Sequence, residues 1–153
     1  GDEEARYTIL TTNRVANVIQ VTERPRFVRE LYAIELAIEH DVGIVNMAAV
    51  RIKLVSPELL RDQIAQWKDQ GLVAQNAVPD DAPLDWLIHD DVDSVISAGY
   101  KFAADHPGIS TVLTGTSSVA HLEDNLKAME DPTLAENDKR RLRELFGAIA
   151  IYI

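Results

Sequence analysis

The chain has 153 residues, of which 46% are hydrophobic and 26% are charged, and this composition is typical of a soluble globular protein rather than a disordered or fibrous one. Its 25 acidic and 15 basic side chains give a formal net charge of -10, which argues against nucleic acid or an anionic membrane as a partner, because both require clustered cations. The sequence contains no cysteine, which excludes disulfides, thiolate zinc sites and cysteine nucleophiles.

The N-terminal part of the chain predicts two short strands and a helix. Residues 1–14 begin polar and acidic and favour at most a short strand near 7–10. Val and Ile dominate 15–21, which predicts a strand in which Gln20 stands out as polar. A proline at the start of 25–39 favours the first turn of a helix over that range. With no bilayer-length apolar run and no secretory leader pattern, the chain is expected to be cytoplasmic.

The middle of the chain predicts a buried strand followed by two helices. The nearly continuous apolar run 42–50 is typical of a parallel strand covered on both faces. Ser-Pro at 56–57 predicts a helix start, and Gly71 predicts the end of that helix. The acidic stretch 71–94 lacks periodicity and predicts a long loop with one packed apolar turn, after which a further helix is predicted over 95–105.

A strand, a turn of small residues and a helix follow one another between residues 109 and 129. Residues 109–113 predict a buried strand, 114–118 a turn rich in Ser, Thr and Gly, and 118–129 an amphipathic helix. Such a turn leaves backbone N–H groups unpaired at the positive end of the helix, where hydroxyls add donors, so it predicts an anion site. The alternative is a plain strand-to-helix connection whose serines only cap the helix.

The helix over 118–129 has two distinct faces. Its apolar stripe, expected to face the core, consists of Leu122, Leu126 and Met129. Its polar face, with the spacing i, i+3 and i+4, consists of His121, Asp124 and Asn125. A phosphate bound at the turn would therefore place an attached base or sugar across the polar face.

The last part of the chain, residues 131–153, predicts a C-terminal helix and an apolar tail. Thr133 followed by Glu136 three residues later has the spacing of a capping box, in which both side chains satisfy backbone N–H groups at a helix start. The face of this helix that is expected to point inward consists of Leu142, Leu145 and Phe146.

The order of these elements indicates one α/β domain over residues 1–153, with its β/α units in 15–130. Strands that alternate with helices at this spacing indicate a parallel sheet, either an open doubly wound sheet or part of a barrel. Both architectures place their sites at the carboxyl ends of the strands. We therefore expect Gln20, residues 46–49 and residues 114–118 to share one edge of the sheet.

The sequence assigns no metal site and no catalytic residue. The histidines are too scattered for a local metal-ligand motif: His40, His89, His106 and His121. Residues 90–93 are acidic but lack the glycine and the terminal glutamate of a calcium loop. Residues 115–117 are not a nucleophile elbow, because no second glycine follows at the required position.

The run SAGYKFAADHPGISTVLTGTSSVAHLEDNLKAME, residues 97–130, resembles the carboxyl-terminal cofactor segment of the aldo/keto reductases. These are NADP-dependent oxidoreductases built on an eight-stranded parallel β/α (TIM) barrel. Agreement is best over 40–146, and before that it depends mainly on VIQV at 18–21. Because a full barrel needs about 250 residues, the resemblance implies a half or partial barrel that begins near the fifth strand and carries C-terminal helices.

The resemblance also implies a binding site for NADP. Thr116 and Ser117 would hold the adenosine 2'-phosphate, and the adenine would lie against Asp124 and Asn125. Gln20 would bind the nicotinamide carboxamide. The end of the strand beneath the cofactor would be lined by Met47, Ala48 and Ala49.

Three positions depart from the pattern of the family. Gly115 stands where a basic residue is often found in the turn, and His121 stands where an arginine is often found on the helix. Both changes weaken the preference for a 2'-phosphate, so NAD is an alternative cofactor. Met47 takes the place of the aromatic residue that stacks on nicotinamide in many members.

The family's catalytic Tyr, Lys, Asp and His come from the first half of the barrel, and the four tyrosines of this chain lie outside any segment that matches this catalytic region. The resemblance thus implies the cofactor end of a carbonyl reductase without its chemical end. We expect a homo-oligomer or a missing N-terminal half to complete it. Two alternatives stay open: a non-catalytic dinucleotide- or phosphate-binding scaffold that self-associates, and an unrelated open α/β phosphate binder.

Overall fold

The structure, a computed structural model, describes residues 10–12, 34–35, 37–47, 49–147 and 149. Over this part of the chain the fold is mixed α/β, mostly helical, with one small parallel sheet. Three strands form the sheet in the order β1, β2, β3. Their bounds are β1 Leu10–Thr12, β2 Ile44–Asn46 and β3 Thr111–Val112.

Five α-helices with complete bounds, one short 3-10 helix and the helical residues 34–35 and 37–39, from the helix predicted over 25–39, complete the described secondary structure. The bounds of the α-helices are α1 Ile52–Val55, α2 Pro57–Asp69, α3 Val95–Ala104, α4 Val119–Glu130 and α5 Glu136–Phe146. The 3-10 helix spans Asp85–Leu87. No helix within the described ranges is both long enough and apolar enough to span a membrane.

The pairing of β2 with β3 fixes the edge of the sheet at which the candidate site lies. Asn46 pairs with Val112 in parallel register, so the residues that follow both strands leave the sheet on the same side. The backbone N–H of Leu113 donates to the carbonyl of Asn46 at 2.9 Å and extends the ladder by one bond. At the other end of the pair, the Ser110 hydroxyl accepts from the N–H of Ile44 at 3.0 Å.

The helix boundaries follow the capping signals of the sequence. The Ser56 hydroxyl accepts from the N–H of Leu59 at 3.3 Å with Pro57 at the first helical position, which confirms the predicted start of α2. Gly71 follows the end of this helix with a φ of 70°, the left-handed conformation that glycine adopts without strain. At the start of α3 the Ser94 hydroxyl accepts from the N–H of Ser97 at 3.0 Å.

The largest part of the core joins α2, α3 and α5 to the segment between α2 and α3. Trp67 of α2 packs against Phe146 of α5 with ring centroids 6.1 Å apart. The long loop predicted over 71–94 contains the 3-10 turn and adds buried side chains to this core, which confirms its packed apolar turn. Those buried side chains are Val73, Val78, Leu84, Leu87 and Val92.

The predicted capping box at Thr133 is wrong. Helix α5 begins at Glu136, with Ala135 in the cap position and no side-chain cap hydrogen bond. The N–H of Thr133 instead donates to an Asp131 carboxylate oxygen at 3.3 Å. The reason is Leu134: its side chain is buried and its N–H donates to Asp105, so the chain stays non-helical until it has passed this residue. The inward face predicted for α5 is confirmed.

Both strands predicted to be buried are shorter than predicted, and only β2 is buried, because Thr111 of β3 is exposed and Val112 is only partly buried. The apolar run 42–50 divides into β2 and a bend at 49–50 that packs on α3, because Gly99 lets Val50 and the Ala49 carbonyl approach the helix closely. The run 109–113 contributes only Thr111–Val112 to the sheet. The strand predicted over 15–21 lies outside the described residues.

The apolar stripe assigned to the core of α4 is wrong for two of its three residues: Met129 packs against the core, but Leu122 and Leu126 do not. Asn125 and Ala128 are buried on α4, whereas Leu122 and Leu126 are exposed. Small residues cause this orientation, since Ala128 clusters with Ala103 of α3 and lets the two helices approach closely. Whether the sheet curves into a half-barrel stays a prediction; the described architecture is a mostly helical α/β fold with a small parallel sheet.

Candidate functional site

A pocket of about 180 Å³ lies where the turn after β3 meets α3, α4 and the residues around α1. Its polar lining consists of Ser94, Tyr100, Thr116, His121, Asp124 and Asn125, with Gly115 at the turn. Its apolar lining consists of Val50, Val55 and Ile96. The turn and the polar face of α4 that the sequence singled out thus form one wall of a single pocket.

Of the ten residues that the resemblance relates to the cofactor, five line this pocket: Gly115, Thr116, His121, Asp124 and Asn125. Ala49 is buried outside the lining, and Ala48 is outside the described residues. Ser117 lies in the same turn but is exposed and outside the lining. Met47 follows β2, is 38% exposed and is also outside the lining. Gln20 lies outside the described residues.

Two of the hydroxyl groups at the start of α4 accept hydrogen bonds that cap the helix. The Ser118 hydroxyl accepts from the N–H of His121 at 3.3 Å, and the Thr116 hydroxyl accepts from the N–H of Ser118 at 3.1 Å. This capping is what the plain strand-to-helix interpretation predicts. The N–H groups of Val119 and Ala120 find no acceptor within the described part of the chain, and the Thr116 hydroxyl keeps its own proton for donation. Donors for an anion therefore remain.

Open space surrounds the glycine of the turn. A Cβ atom built on Gly115 would meet no other atom within 4 Å, among the described residues, and the backbone there does not require glycine. A long basic side chain could therefore be accommodated at this position.

No arginine or lysine lies among the described lining residues, and Asp124 adds a carboxylate. Lys127, one turn further along α4, pairs with Asp93 at 2.6 Å. The hydrogen bond from Lys127 to Asp93 raises the pKa of the ammonium group. Both side chains are largely exposed, so this ion pair contributes little to stability. An anion at the turn would thus be held by backbone N–H groups and hydroxyls rather than by a positive side chain.

The buried base of the pocket contains a hydrogen-bonded trio. Thr114 Oγ1 lies 2.9 Å from the Tyr100 hydroxyl and 2.7 Å from Asn125 Nδ2, so α3, the turn and α4 meet at one oxygen. Asn125 and Tyr100 are both buried. The trio therefore fixes α4 against α3 at the level of the pocket.

Comparison with protein-family models, with curated proteins and with solved structures found no match to this chain.

A buried polar residue lies at the end of β2. Asn46 is fully buried, and within the described residues neither its Oδ1 nor its Nδ2 has a hydrogen-bond partner. A buried amide left unpaired costs about 1–3 kcal/mol. The sequence predicts Asn46 at the edge of the sheet that carries the site, and the resemblance assigns the cofactor contact to Met47, the residue that follows it.

Other lining residues were not identified from the sequence because they come from distant segments. Tyr100 and Ile96 are four residues apart on α3, a spacing that places them on one face of a helix. That spacing was the signal in the sequence from which these two lining residues could have been predicted. Val50, Val55 and Ser94 carry no comparable signal, since only the crossover between β2 and β3 brings them to the turn.

Proposed function

We propose that this chain binds NADP in the pocket and represents the cofactor-binding half of a protein similar to the aldo/keto reductases. The observation that carries the proposal is the convergence of five predicted cofactor residues, from the turn and α4, on one pocket at the carboxyl end of β3. Bound NADPH would supply a hydride to a carbonyl. The acid and its partners would come from another chain or segment, because no residue here is assigned to that role.

The size of the pocket suits one end of the dinucleotide. Pockets that bury a whole drug-sized ligand measure roughly 300–1,000 Å³. The pocket of this chain, at about 180 Å³, is smaller than that range. The adenine would lie against the apolar side chains Val50, Val55 and Ile96. The 2'-phosphate would accept hydrogen bonds from the Thr116 hydroxyl and the free N–H groups of α4.

Because the described pocket lining contains no arginine or lysine, adding a positive side chain there should increase the affinity for NADP. Gly115→Lys and His121→Arg each place a cation at the turn, and one charge pair at a partly exposed site contributes on the order of 1 kcal/mol. Each variant should therefore bind NADP about fivefold to tenfold more tightly while its affinity for NAD changes little. Glu123→Gln is the matched control, because it changes the net charge in the same direction on an exposed part of α4 outside the pocket.

Isothermal titration calorimetry of NADP and NAD into wild type and the three variants measures these affinities. A selective gain for NADP in the two pocket variants, absent in Glu123→Gln, supports the proposal. Failure of NADP to bind to wild type and to both pocket variants at millimolar concentration would rule it out.

The alternative, a non-catalytic scaffold that self-associates, is favoured by one observation. Helix α4 exposes Val119, Leu122 and Leu126, which are between 39% and 72% accessible. Apolar side chains on one helix face stabilise an oligomer when a second copy covers them. Sedimentation velocity across a concentration series would show association that Leu122→Glu weakens, whereas the cofactor proposal alone requires no such effect.

A further inference from the structure

Thr114 contacts two side chains that differ in what they can offer a hydroxyl. Asn125 approaches Thr114 Oγ1 through Nδ2, which can only donate, so one lone pair of the hydroxyl is occupied by this bond. The Tyr100 hydroxyl can then either donate to the second lone pair or accept the Thr114 proton. Both arrangements keep the amide nitrogen of Asn125 at Thr114.

The planar amide then holds its oxygen away from Thr114. Within the described residues Oδ1 of Asn125 receives no hydrogen bond, although Asn125 itself lines the pocket. The neighbouring Asp124 carboxylate also lines the pocket and accepts hydrogen bonds only. Two acceptors are therefore offered to a ligand from adjacent positions of α4.

We infer that Thr114 is a positioning residue that fixes the amide of Asn125 with its oxygen toward the ligand, and so makes the pocket select a base with an exocyclic amine. Adenine carries such an amine, whose two hydrogens match two acceptors. Hypoxanthine carries a carbonyl oxygen at the same position and leaves both acceptors unpaired. The inference depends on the proposed NADP function, because it concerns the adenine end of that ligand.

The opposite amide orientation predicts the opposite preference. If the Thr114 hydroxyl donated to Oδ1 of Asn125, the amide nitrogen would be presented to the ligand and the 6-oxo base would be favoured. Selectivity between the two bases therefore reports the orientation of the amide. A residue that merely stabilised the fold would weaken the binding of both nucleotides equally.

The experiment compares NADP with its hypoxanthine analogue by calorimetry. We expect wild type to bind NADP about tenfold more tightly, which corresponds to one or two mismatched hydrogen bonds. Thr114→Val has the same shape without the hydroxyl, and should reduce the ratio to about threefold or less. Thr114→Ser should restore the ratio. Tyr100→Phe should retain it, because the Asn125 contact survives.

A measurement without ligand tests the positioning directly. The side-chain amide protons of Asn125, assigned by their loss in Asn125→Asp, should exchange slowly with solvent in wild type and in Thr114→Ser, and quickly in Thr114→Val. Far-UV circular dichroism confirms that each variant is folded.

The outcomes separate the inference from the proposed function. Failure of NADP to bind to wild type contradicts the proposed function and the base selectivity together. Binding of NADP without selectivity, or with selectivity unchanged in Thr114→Val, overturns the inference and leaves the proposed function intact. An exchange rate of the Asn125 side-chain amide protons that is the same in wild type and Thr114→Val likewise overturns the inference.

Discussion

Removal of the Asp91 carboxylate should destabilise the fold more than removal of its partner Lys101. Lys101 lies beside Tyr100 on α3, and its ammonium is 2.9 Å from Asp91 and also donates to the carbonyl of Asp131. The Lys101 side chain is 3% exposed, whereas that of Asp91 is 60% exposed. The buried cation therefore depends on its acceptors, while the carboxylate can be hydrated on its own.

The magnitude follows from this asymmetry. Truncation of one partner of a fully buried pair costs about 3–5 kcal/mol. Since water can replace the exposed carboxylate in part, Asp91→Ala should cost less than this but more than Lys101→Met. Lys101→Met removes the buried charge and keeps most of the packing of the aliphatic stem. It leaves the carbonyl of Asp131 without its donor, which should cost about 1 kcal/mol of unfolding free energy. The double variant should be no less stable than Lys101→Met alone.

Urea unfolding followed by far-UV circular dichroism at pH 7 and one protein concentration measures these free energies. The hydrogen bond from Lys101 lowers the pKa of Asp91 below its usual value of 3.8. The contribution of Asp91 is therefore present above pH 3.8 and is lost as the pH falls through the lowered pKa. A larger loss of stability for Lys101→Met than for Asp91→Ala would refute the reasoning.

Two further predictions concern pH and backbone conformation. Hydrogen bonds to Asp90 and then Asp138 raise the pKa of His89 above 6.5, so its contribution to stability is present below pH 6.5 and is lost as the pH rises through the raised pKa. The difference in unfolding free energy between wild type and His89→Gln should shrink from pH 6 to pH 9, and an unchanged difference would contradict this prediction. The comparison with His89→Gln is needed because burial lowers the pKa of His106, so a second histidine also makes stability depend on pH. Gly71→Ala should destabilise by about 1 kcal/mol, because alanine is strained at a φ of 70° although the space is open; equal urea midpoints would count against that strain.

The longer helices α2 to α5 could be predicted from the sequence because their signals are local, whereas the short α1 was not predicted. Ser56, Pro57 and Gly71 act through hydrogen bonds and backbone conformations within a few residues, and they placed the ends of α2 within two residues. The capping box at Thr133 had an equally local signal and failed. There the burial of Leu134, a tertiary contact, overrode the helix start.

The candidate site divides in the same way. Gly115, Thr116 and the polar face of α4 lie close together in sequence, so strand, turn and helix patterns could place them on one surface. The opposite wall, around Val50 and Tyr100, is assembled by the parallel crossover and by the close packing of α3 against α4. Neither the packing nor the resulting orientation of α4 is encoded in its apolar stripe, of which Leu122 and Leu126 are exposed.

The acidity of the chain and an anion site in it are compatible for a specific reason. Because the described lining contains no arginine or lysine, the proposed attraction of the turn for phosphate would come from N–H groups and hydroxyls held by α4. Those donors are oriented only while α4 keeps its position, and that position depends on Asn125 bonded to Thr114. The residue proposed to read the base therefore also maintains the geometry that would bind the phosphate. Loss of the Thr114 hydroxyl should accordingly lower the selectivity for the base, and it should lower the affinity for phosphate only if α4 itself shifts.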